Sequence, residues 1–301
     1  MIVTNESNLH NGIFNAINKW MGRSRNPDPD YYRVTELVRP VQQVLLQRRH
    51  NDEITVDAMD MLNAFRGSAV HELLSKYDAM NALQEEFLDV EIGGHRVKGI
   101  PDYYDGNDFT LVDFKNCRVW KYVYQDFSDW EEQTNIYDYM LFVYGFKVKK
   151  LYVAAMFDDW SPTRAKASKD YPQHRAVVIP LKKWSRKKQR QTILKKIERL
   201  EAAKHLKDED LPPCSYDDMW EKPTVYAVMK QERKTSIKNY ENDEEGAQRH
   251  VNELTDTKKG TFYVEMRPGE RTRCEHYCSA SEFCYQFKMH KLSQEEQEEV
   301  A

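Results

Sequence analysis

The spacing of apolar residues along the chain predicts three helical stretches. Residues 31–50 predict a short strand or turn followed by a helix that is interrupted near Pro40. Residues 57–83 repeat apolar side chains at helical intervals around Gly67, which predicts one long helix or two abutting ones. Residues 182–205 combine a helical apolar stripe with many lysines and arginines, and predict a basic helix.

A fourth helix is predicted over residues 128–145, where the helical period comes with signals at both ends. Ser128 and Glu131 have the spacing of a capping box at its start. Gly145 stands where a helix C-terminus often needs a left-handed residue.

Between these helices the pattern alternates with a period of two, which is typical of strands. Residues 87–92, 95–104 and 108–117 are separated by glycine-containing turns and predict a three-stranded meander. Residues 148–157 and 175–181 predict two further strands. The chain is therefore expected to form an α/β fold.

Composition narrows the class of protein. Hydrophobic residues make up 40% and charged residues 31% of the 301 positions, as in a globular protein with a core. The net charge is only −4, so affinity for nucleic acid has to come from local patches. The sequence starts without a signal-peptide pattern and has no apolar run long enough for a membrane helix, so we expect a cytoplasmic protein without a membrane partner.

Changes in composition along the chain predict four parts. An N-terminal helical or entry segment spans 1–60, and a core domain spans 61–205. A cysteine-rich segment that packs on the core spans 206–290. The residues 291–301 form an acidic tail that is expected to be disordered.

The segment "GIPDYYDGNDFTLVDFKNC" carries the strongest candidate chemistry. A turn centred on Gly106 and Asn107 would place Asp102 opposite Leu111, with Asp113 and Lys115 on the same face of the hairpin. Two carboxylates at such close range repel each other by roughly 4 kcal/mol at an effective dielectric constant near 20. A hard divalent cation such as Mg²⁺ or Mn²⁺ would offset that repulsion. Taken alone, the same residues also suit a solvated strand face with an ordinary ion pair.

The order of motifs around this segment resembles the PD-(D/E)XK nuclease superfamily, and specifically its RecB-like branch. The resemblance spans about residues 60–157 and rests on four motifs in register: "GSAVHELL" with His71, "GIPD" with Asp102, "DFK" with Asp113 and Lys115, and "QTNIY" with Gln133 and Tyr137. The branch includes the nuclease domains of RecB and AddB, CRISPR-associated RecB-like exonucleases and phage nucleases.

The resemblance implies a fold and a set of residue roles. It implies a restriction-endonuclease-like core, in which a mixed central sheet is flanked by helices. His71, Asp102 and Asp113 would hold Mg²⁺ or Mn²⁺, and Lys115 would assist the attacking water. Gln133 and Tyr137 are four residues apart, hence on one helix face, where they could hold a phosphate or fix the lysine.

Four of the five cysteines predict a metal module at the C-terminal end. Cys274, Cys278 and Cys284 lie within eleven residues, and Cys214 lies sixty residues earlier. Four thiolates suit an iron–sulfur cluster or tetrahedral Zn²⁺. RecB-like nucleases often close their nuclease domain with a four-iron cluster, which favours iron–sulfur here, although the upstream cysteine of that pattern precedes the catalytic motifs. Cys117 has no such partners and is interpreted as a packing residue.

Within the basic helix, Lys187, Lys188 and Arg190 are candidates for phosphate contacts beside the site, and a merely solvated helix face is equally compatible. Trp130, Trp160 and Trp184 could stack on bases, although buried tryptophans are the commoner outcome.

Together these patterns predict a metal-dependent deoxyribonuclease, with exonuclease action favoured by the family branch alone. Phage or mobile-element origin would place it in the host cytoplasm, acting in DNA recombination, repair or processing. No Walker A motif is present, so any unwinding would need a helicase or recombination partner in trans. The alternative is a catalytically silent nuclease fold that binds DNA or serves in assembly.

Overall fold

The computed structural model describes residues 1–22, 30–76 and 80–300, with side chains described up to Glu295. The chain divides into two compact units, Met1–His205 and Leu206–Ala301. The division falls where the sequence pattern places the start of the cysteine-rich segment. Residues 1–60 belong to the same unit as the predicted core domain.

The first unit contains strands and helices in alternation. Its strands are β1 Ile2–Thr4, β2 Tyr31–Arg33, β3 Thr55–Asp57, β4 Ala82–Gln84, β5 Leu88–Ile92, β6 His95–Gly99, β7 Tyr103–Asp105, β8 Thr110–Cys117, β9 Lys150–Phe157 and β10 Ala176–Leu181. Its helices are α1 Asn11–Met21, α2 Val34–Leu37, α3 Val41–Arg49, α4 Leu62–Leu74, α5 Val119–Val123, α6 Ser128–Val143, α7 Pro162–Ala167 and α8 Arg186–Ala203.

A five-stranded mixed sheet organises this unit, with strand order β10-β9-β8-β7-β4. The central pair β8 and β9 is parallel and the other pairs are antiparallel. Every second side chain of β9 is buried, from Leu151 to Phe157, and packs in a core that includes Val119 and Trp130. The first unit is therefore mixed α/β, as the sequence pattern predicts.

The predicted three-stranded meander is wrong. β5 and β6 form a hairpin in a separate sheet of order β2-β6-β5, whereas β7 and β8 belong to the five-stranded sheet. The chain crosses from one sheet to the other between Gly99 and Tyr103. Pro101 lies in this crossing and has no N–H to continue a strand ladder, which explains why the pairing ends here.

The helix predicted over residues 57–83 is shorter in the structure. α4 ends at Leu74, residues 77–79 lie outside the described part, and Ala82–Gln84 is a strand that pairs with β7. Asn81, just before this strand, has a left-handed φ of 60°. Sheet pairing thus overrides the local helical period.

The predicted helix over 128–145 is confirmed as α6, but its capping box is not formed. The Ser128 hydroxyl donates instead to the carboxylate of Asp126, at 2.8 Å. At the other end Gly145 has a φ of +87° and its N–H bonds to the Phe142 carbonyl, as expected for a C-terminal cap.

The second unit has a small core of its own. Its strands are β11 Val225–Lys230, β12 Lys238–Glu241 and β13 Phe262–Arg267, and its helices are α9 Tyr216–Met219, α10 Glu244–Thr257, α11 Thr272–His276 and α12 Tyr285–Val300. The strands form an antiparallel sheet of order β12-β11-β13, and α10 packs against it through Val251 and Leu254. The sequence analysis did not predict this sheet.

The prediction of a disordered acidic tail over 291–301 is wrong for residues 291–300, which continue helix α12. Glutamate and glutamine are good helix formers, and the segment extends a helix that is already anchored by the buried Phe287.

Candidate active site

Four separate segments bring the predicted site residues together. His71 comes from α4, Asp102 from the crossing between β6 and β7, Asp113 and Lys115 from β8, and Gln133 and Tyr137 from α6. α4 and α6 both pack against β8. Packing of both helices on the central strand β8 therefore brings residues that are distant in the sequence into one cluster.

Asp102 lies closer to Asp113 than the sequence predicted. Tyr103 pairs with Val112 in the β7–β8 hairpin, a shift of two residues from the predicted register, so Asp102 stands at the position that continues the pairing toward Asp113. The Asp102 Oδ2 atom accepts a hydrogen bond of 2.7 Å from the N–H of Phe114. A shift by two keeps both carboxylates on the predicted face.

Asp113 is almost fully buried, at 2% exposure. Its Oδ2 lies 2.8 Å from Lys115 Nζ as an ion pair, yet neither carboxylate oxygen has a hydrogen-bond partner of good geometry among the described residues. Burial raises the pKa of Asp113 to about 6, with Lys115 opposing and Asp102 adding to the shift. A buried carboxylate with unused oxygen lone pairs is a group prepared for another ligand.

Lys115 is held at both sides of its ammonium group. Nζ donates a hydrogen bond of 3.1 Å to Gln133 Oε1 and pairs with Asp113. Burial alone would lower the pKa of Lys115, but the adjacent Asp113 carboxylate outweighs it and the net pKa is raised. The lysine therefore carries a fixed positive charge at neutral pH.

Tyr137 completes this chain of contacts. Its buried hydroxyl accepts from the Gln133 side chain and from the backbone of Ile100. Burial, and secondarily the Asp113 charge, raise the pKa of Tyr137, so the phenol stays neutral. Its ring packs against Gly99, where a Cβ would come within 2.7 Å of both Tyr137 and Val34. Only glycine fits there, which gives the "GIPD" glycine a packing reason.

His71 faces two carboxylates. Its Nδ1 lies 3.4 Å from Asp102 Oδ1 and 3.5 Å from Glu85 Oε1. The hydrogen bond with Asp102 raises the pKa of His71, against the opposing effect of burial. The imidazole is therefore oriented by the acidic residues around it.

Glu85 was missed by the sequence analysis. It follows β4 directly, has a left-handed φ of 50°, and donates its backbone N–H to the Asp102 carbonyl at 3.2 Å. Only the pairing of β4 with β7 brings it beside Asp102, so spacing along the sequence held no signal for it. A strained non-glycine backbone is a feature that clusters at functional sites.

The residues present fit a hard divalent cation. Within the described residues, donor atoms of His71, Glu85 and Asp102 all lie within 4.8 Å of one another. Asp113 is outside that group and pairs with Lys115. Carboxylate oxygens with one imidazole nitrogen suit Mn²⁺ and Mg²⁺. The site could thus hold such an ion with Asp113 as an additional ligand.

The four C-terminal cysteines all lie in the second unit. Cys214 precedes α9, Cys274 lies in α11, and Cys278 and Cys284 lie between α11 and α12. Gln286, two residues after Cys284, bonds to the backbone of Cys214: its side chain accepts from the Cys214 N–H and donates to the Cys214 carbonyl.

The four thiols lie within electrostatic range of one another. Burial, then the Asp218 carboxylate and the neighbouring thiols, raise the pKa of Cys214 to about 12. Burial and then the neighbouring thiols raise the pKa of Cys274 to about 11. No three of these sulfurs lie within 4.8 Å of one another among the described groups. In a tetrahedral zinc site the sulfurs would be about 3.8 Å apart, given Zn–S bonds of about 2.3 Å.

Cys117 is separate from this set and lies at the end of β8. Its half-buried side chain packs against the core that contains Trp130, and burial raises its pKa to about 11. It is placed as the packing residue that the sequence predicted.

The basic helix does not lie beside the site. Lys187, Lys188 and Arg190 of α8 are exposed, but α8 packs on the far side of α6, where Gln189 bonds to Asn135. Successive helical residues turn by about 100°. The face of α6 that contacts α8 is therefore opposite the face with Gln133.

Two basic residues near the start of α8 are used inside the fold. Lys183 and Arg186 pair at 2.7 Å and 3.0 Å with Asp138, which is fully buried. The basic character of this region thus has a structural use in neutralising a buried carboxylate.

The three tryptophans considered as base-stacking residues are engaged within the first unit. Trp130 is buried, Trp160 Nε1 donates to the Pro172 carbonyl, and Trp184 Nε1 donates to Glu131. None of these three rings is placed as an open stacking surface. None of the helices in the described ranges is both long and apolar enough to cross a bilayer.

Comparisons with known proteins add little to this description. No protein-family model matches the chain, and no curated protein matches it. Among solved structures, one described as the crystal structure of SSO0001 is similar, with 14% identity and a TM-score of 0.43 over 62% of this chain and 83% of that one. A likeness at this level carries no conclusion about fold family or function.

Proposed function

We propose that this chain is a metal-dependent deoxyribonuclease with a PD-(D/E)XK restriction-endonuclease-like core. The observation that carries the proposal is the buried Asp113 carboxylate, which pairs with Lys115 through Oδ2, accepts no well-aligned hydrogen bond from the described residues and stands beside Asp102. Structural ion pairs normally use their oxygens fully, whereas this one leaves lone pairs open toward further acidic groups.

His71, Glu85, Asp102 and Asp113 would hold Mg²⁺ or Mn²⁺. When bound, such an ion would lower the pKa of a water molecule on it and stabilise charge on a phosphoryl oxygen. The remaining roles belong to the chain itself.

Lys115 suits the role of a fixed cation toward the reacting phosphate. Its pKa is raised, so it keeps its proton and can donate hydrogen bonds to an oxygen on which charge develops. Gln133 and Asp113 restrict the direction of its ammonium group. Tyr137, kept neutral, acts through Gln133 as a positioning residue.

A digestion assay tests the proposal. Purified protein with Mg²⁺ or Mn²⁺ is incubated with single-stranded, duplex and end-blocked DNA, beside Asp113→Ala as a control. We expect digestion that needs the metal and Asp113, and protection of the end-blocked substrate if the enzyme is an exonuclease. Equal digestion by both proteins, or none by either, would favour a catalytically silent DNA-binding or assembly protein.

For the cysteine set we propose an iron–sulfur cluster, with Zn²⁺ as the alternative. Cys274, Cys278 and Cys284 all act electrostatically on Cys214, so the four thiols are near enough to serve one group, and four thiolates suit such a cluster. When bound, the cluster would link Cys214 to the three later cysteines and stabilise the second unit. Anaerobic purification should give brown protein that contains iron and sulfide; colourless protein with stoichiometric zinc would overturn the choice.

A further inference from the structure

Two exposed aromatic side chains stack on each other directly after the strand that carries the site. Trp120 and Tyr124 are 48% and 74% exposed, and their ring centroids lie 5.8 Å apart at an interplanar angle of 25°. Trp120 lies in α5 and Tyr124 is its C-cap residue, four positions later and hence on the same side of the helix. Two adjoining exposed rings are a candidate binding surface.

The opposite side of α5 is fixed in the core. Val119 is 2% exposed, and Tyr122 and Val123 pack against the same cluster of buried residues. The pair of exposed rings is therefore presented by an anchored helix. A stacking surface that is already ordered costs little entropy when a planar ligand binds.

α5 also lies within electrostatic reach of the active site. It begins two residues after β8, and Trp120 follows Lys115 by only five residues, which limits the separation of their Cα atoms to about 17 Å. Lys121 pairs at 2.8 Å with Asp129, and Asp129 in turn raises the pKa of Lys115. A strand held at Lys115 is therefore within reach of the rings.

An exposed arginine lies at the start of the same helix. Arg118 is the N-cap residue of α5, two residues before Trp120, and its guanidinium has no hydrogen-bond or ion-pair partner among the residues that the structure describes. Exposed aromatic rings beside an unpaired arginine are the combination that binds single-stranded nucleic acid, through base stacking and phosphate contact. Duplex bases are already stacked on each other, so they cannot use the rings in this way.

We propose that Trp120 and Tyr124 form a stacking subsite for a base of single-stranded DNA, with Arg118 contacting the adjoining phosphate. This proposal rests on the proposed nuclease function for the nature of the ligand. The subsite would make the enzyme favour single-stranded or frayed ends over intact duplex.

The test separates stacking from charge and from catalysis. Binding of a fluorescein-labelled oligothymidylate is measured by anisotropy with EDTA present, so that no cleavage occurs. Trp120→Leu keeps an apolar side chain without the π-system, and Trp120→Phe keeps a ring. Phe142→Leu serves as the matched control, because Phe142 is also 48% exposed but lies at the far end of α6.

We expect Trp120→Leu to weaken oligonucleotide binding roughly ten-fold, within the range measured for one base–aromatic stack. Trp120→Phe should keep most of the affinity, and Phe142→Leu should match the original protein. Blunt duplex should bind the original protein and Trp120→Leu within roughly two-fold of each other. An abasic oligonucleotide should not distinguish the two proteins either.

Two results would overturn the subsite. One is equal oligonucleotide affinity for Trp120→Leu and the original protein. This result would show that the rings do not bind a base, and would favour a protein partner for them. The other is an equal loss for the abasic strand, which would point to charge or folding. Either result can occur with an active nuclease, whereas Trp120-dependent binding without any metal-dependent digestion would reject the nuclease and leave the subsite standing.

Discussion

The backbone N–H of Phe114 donates a hydrogen bond of 2.7 Å to the carboxylate of Asp102. Asp102 therefore fixes the crossing between two sheets onto the strand that carries Asp113. The same carboxylate uses its other oxygen toward His71, at 3.4 Å. One side chain thus has a structural role through Oδ2 and a candidate metal-binding role through Oδ1.

These two roles of Asp102 can be separated by substitution. Asp102→Asn keeps an acceptor for the Phe114 N–H, whereas Asp102→Ala leaves that N–H without one, at a cost of about 1–3 kcal/mol. Both remove the charge, so both should lower metal-dependent digestion roughly a hundred-fold or more. Urea unfolding and digestion rates measure the two effects. Equal stability of the two variants would contradict the structural role.

We expect Glu85 to bind the metal while its backbone is held in a strained conformation. Its φ of 50° costs a non-glycine residue about 1–2 kcal/mol. Glu85→Gln removes the charge and keeps the strain, while Glu85→Gly removes both. We expect each to weaken Mn²⁺ binding roughly ten-fold or more in calorimetry, with Glu85→Gly the more stable of the two by about 1 kcal/mol.

The neighbouring Glu86→Gln is the control for Glu85, since it changes the same charge one residue away. It should leave Mn²⁺ affinity unchanged. If Glu85→Gln binds Mn²⁺ as tightly as Glu86→Gln, Glu85 is not a ligand.

Gly99 and Gly67 should respond oppositely to alanine. At Gly99 the added Cβ would meet Tyr137 and Val34 at 2.7 Å, so Gly99→Ala should destabilise the fold by about 1–3 kcal/mol and lower activity by displacing Tyr137. At Gly67, inside α4, the nearest atom would be 3.8 Å away, so Gly67→Ala should stabilise by about 0.5–1 kcal/mol. Thermal unfolding distinguishes them; a destabilised Gly67→Ala would contradict the packing described for α4.

Local signals in the sequence were sufficient for the elements with strong periodicity. α6 and the strands β8, β9 and β10 follow directly from the helical period and from alternation. The shared face of Asp102, Asp113 and Lys115 was also predictable, because an even shift of register preserves alternation.

Pairings between distant segments could not be predicted in the same way. β5–β6 and β7–β8 lie in two different sheets because each hairpin pairs with a different distant strand. β6 pairs with β2, and β7 pairs with β4. Glu85 is brought to Asp102 by the second of these pairings. The side of α6 against which α8 packs is decided by the buried polar contacts of Asn135 and Asp138, which a charge count does not reveal.

Loss of a cysteine should affect the second unit selectively. In the proposed cluster four thiolates hold one group, so Cys214→Ser and Cys284→Ser should each lower iron content and destabilise the unit formed by Leu206–Ala301. Cys117→Ser belongs to the other unit and should keep full iron content. Iron analysis with limited proteolysis measures both effects. Equal iron in all three variants would remove these cysteines as ligands.

Asp57 predicts a pH-dependent contribution to stability in the first unit. Its carboxylate accepts backbone N–H groups of Met59 at 2.9 Å and of Ser7 at 3.2 Å, and these hydrogen bonds, led by that from Met59, lower the pKa of Asp57. A pKa lowered by folding means that the ionised form is stabilised in the folded state. The contribution is thus present at neutral pH and is lost as the pH falls through the lowered folded-state value.

Asp57→Asn should therefore be less stable than the original protein at pH 7, and the difference should shrink below about pH 4, near the ordinary aspartate pKa. Urea unfolding midpoints across this range measure the difference. Asp60→Asn, an exposed carboxylate three residues later, is the matched control and should track the original protein. A stability difference for Asp57→Asn that stays constant with pH would show that the variant is destabilised by altered hydrogen-bond geometry and not by the loss of the carboxylate charge.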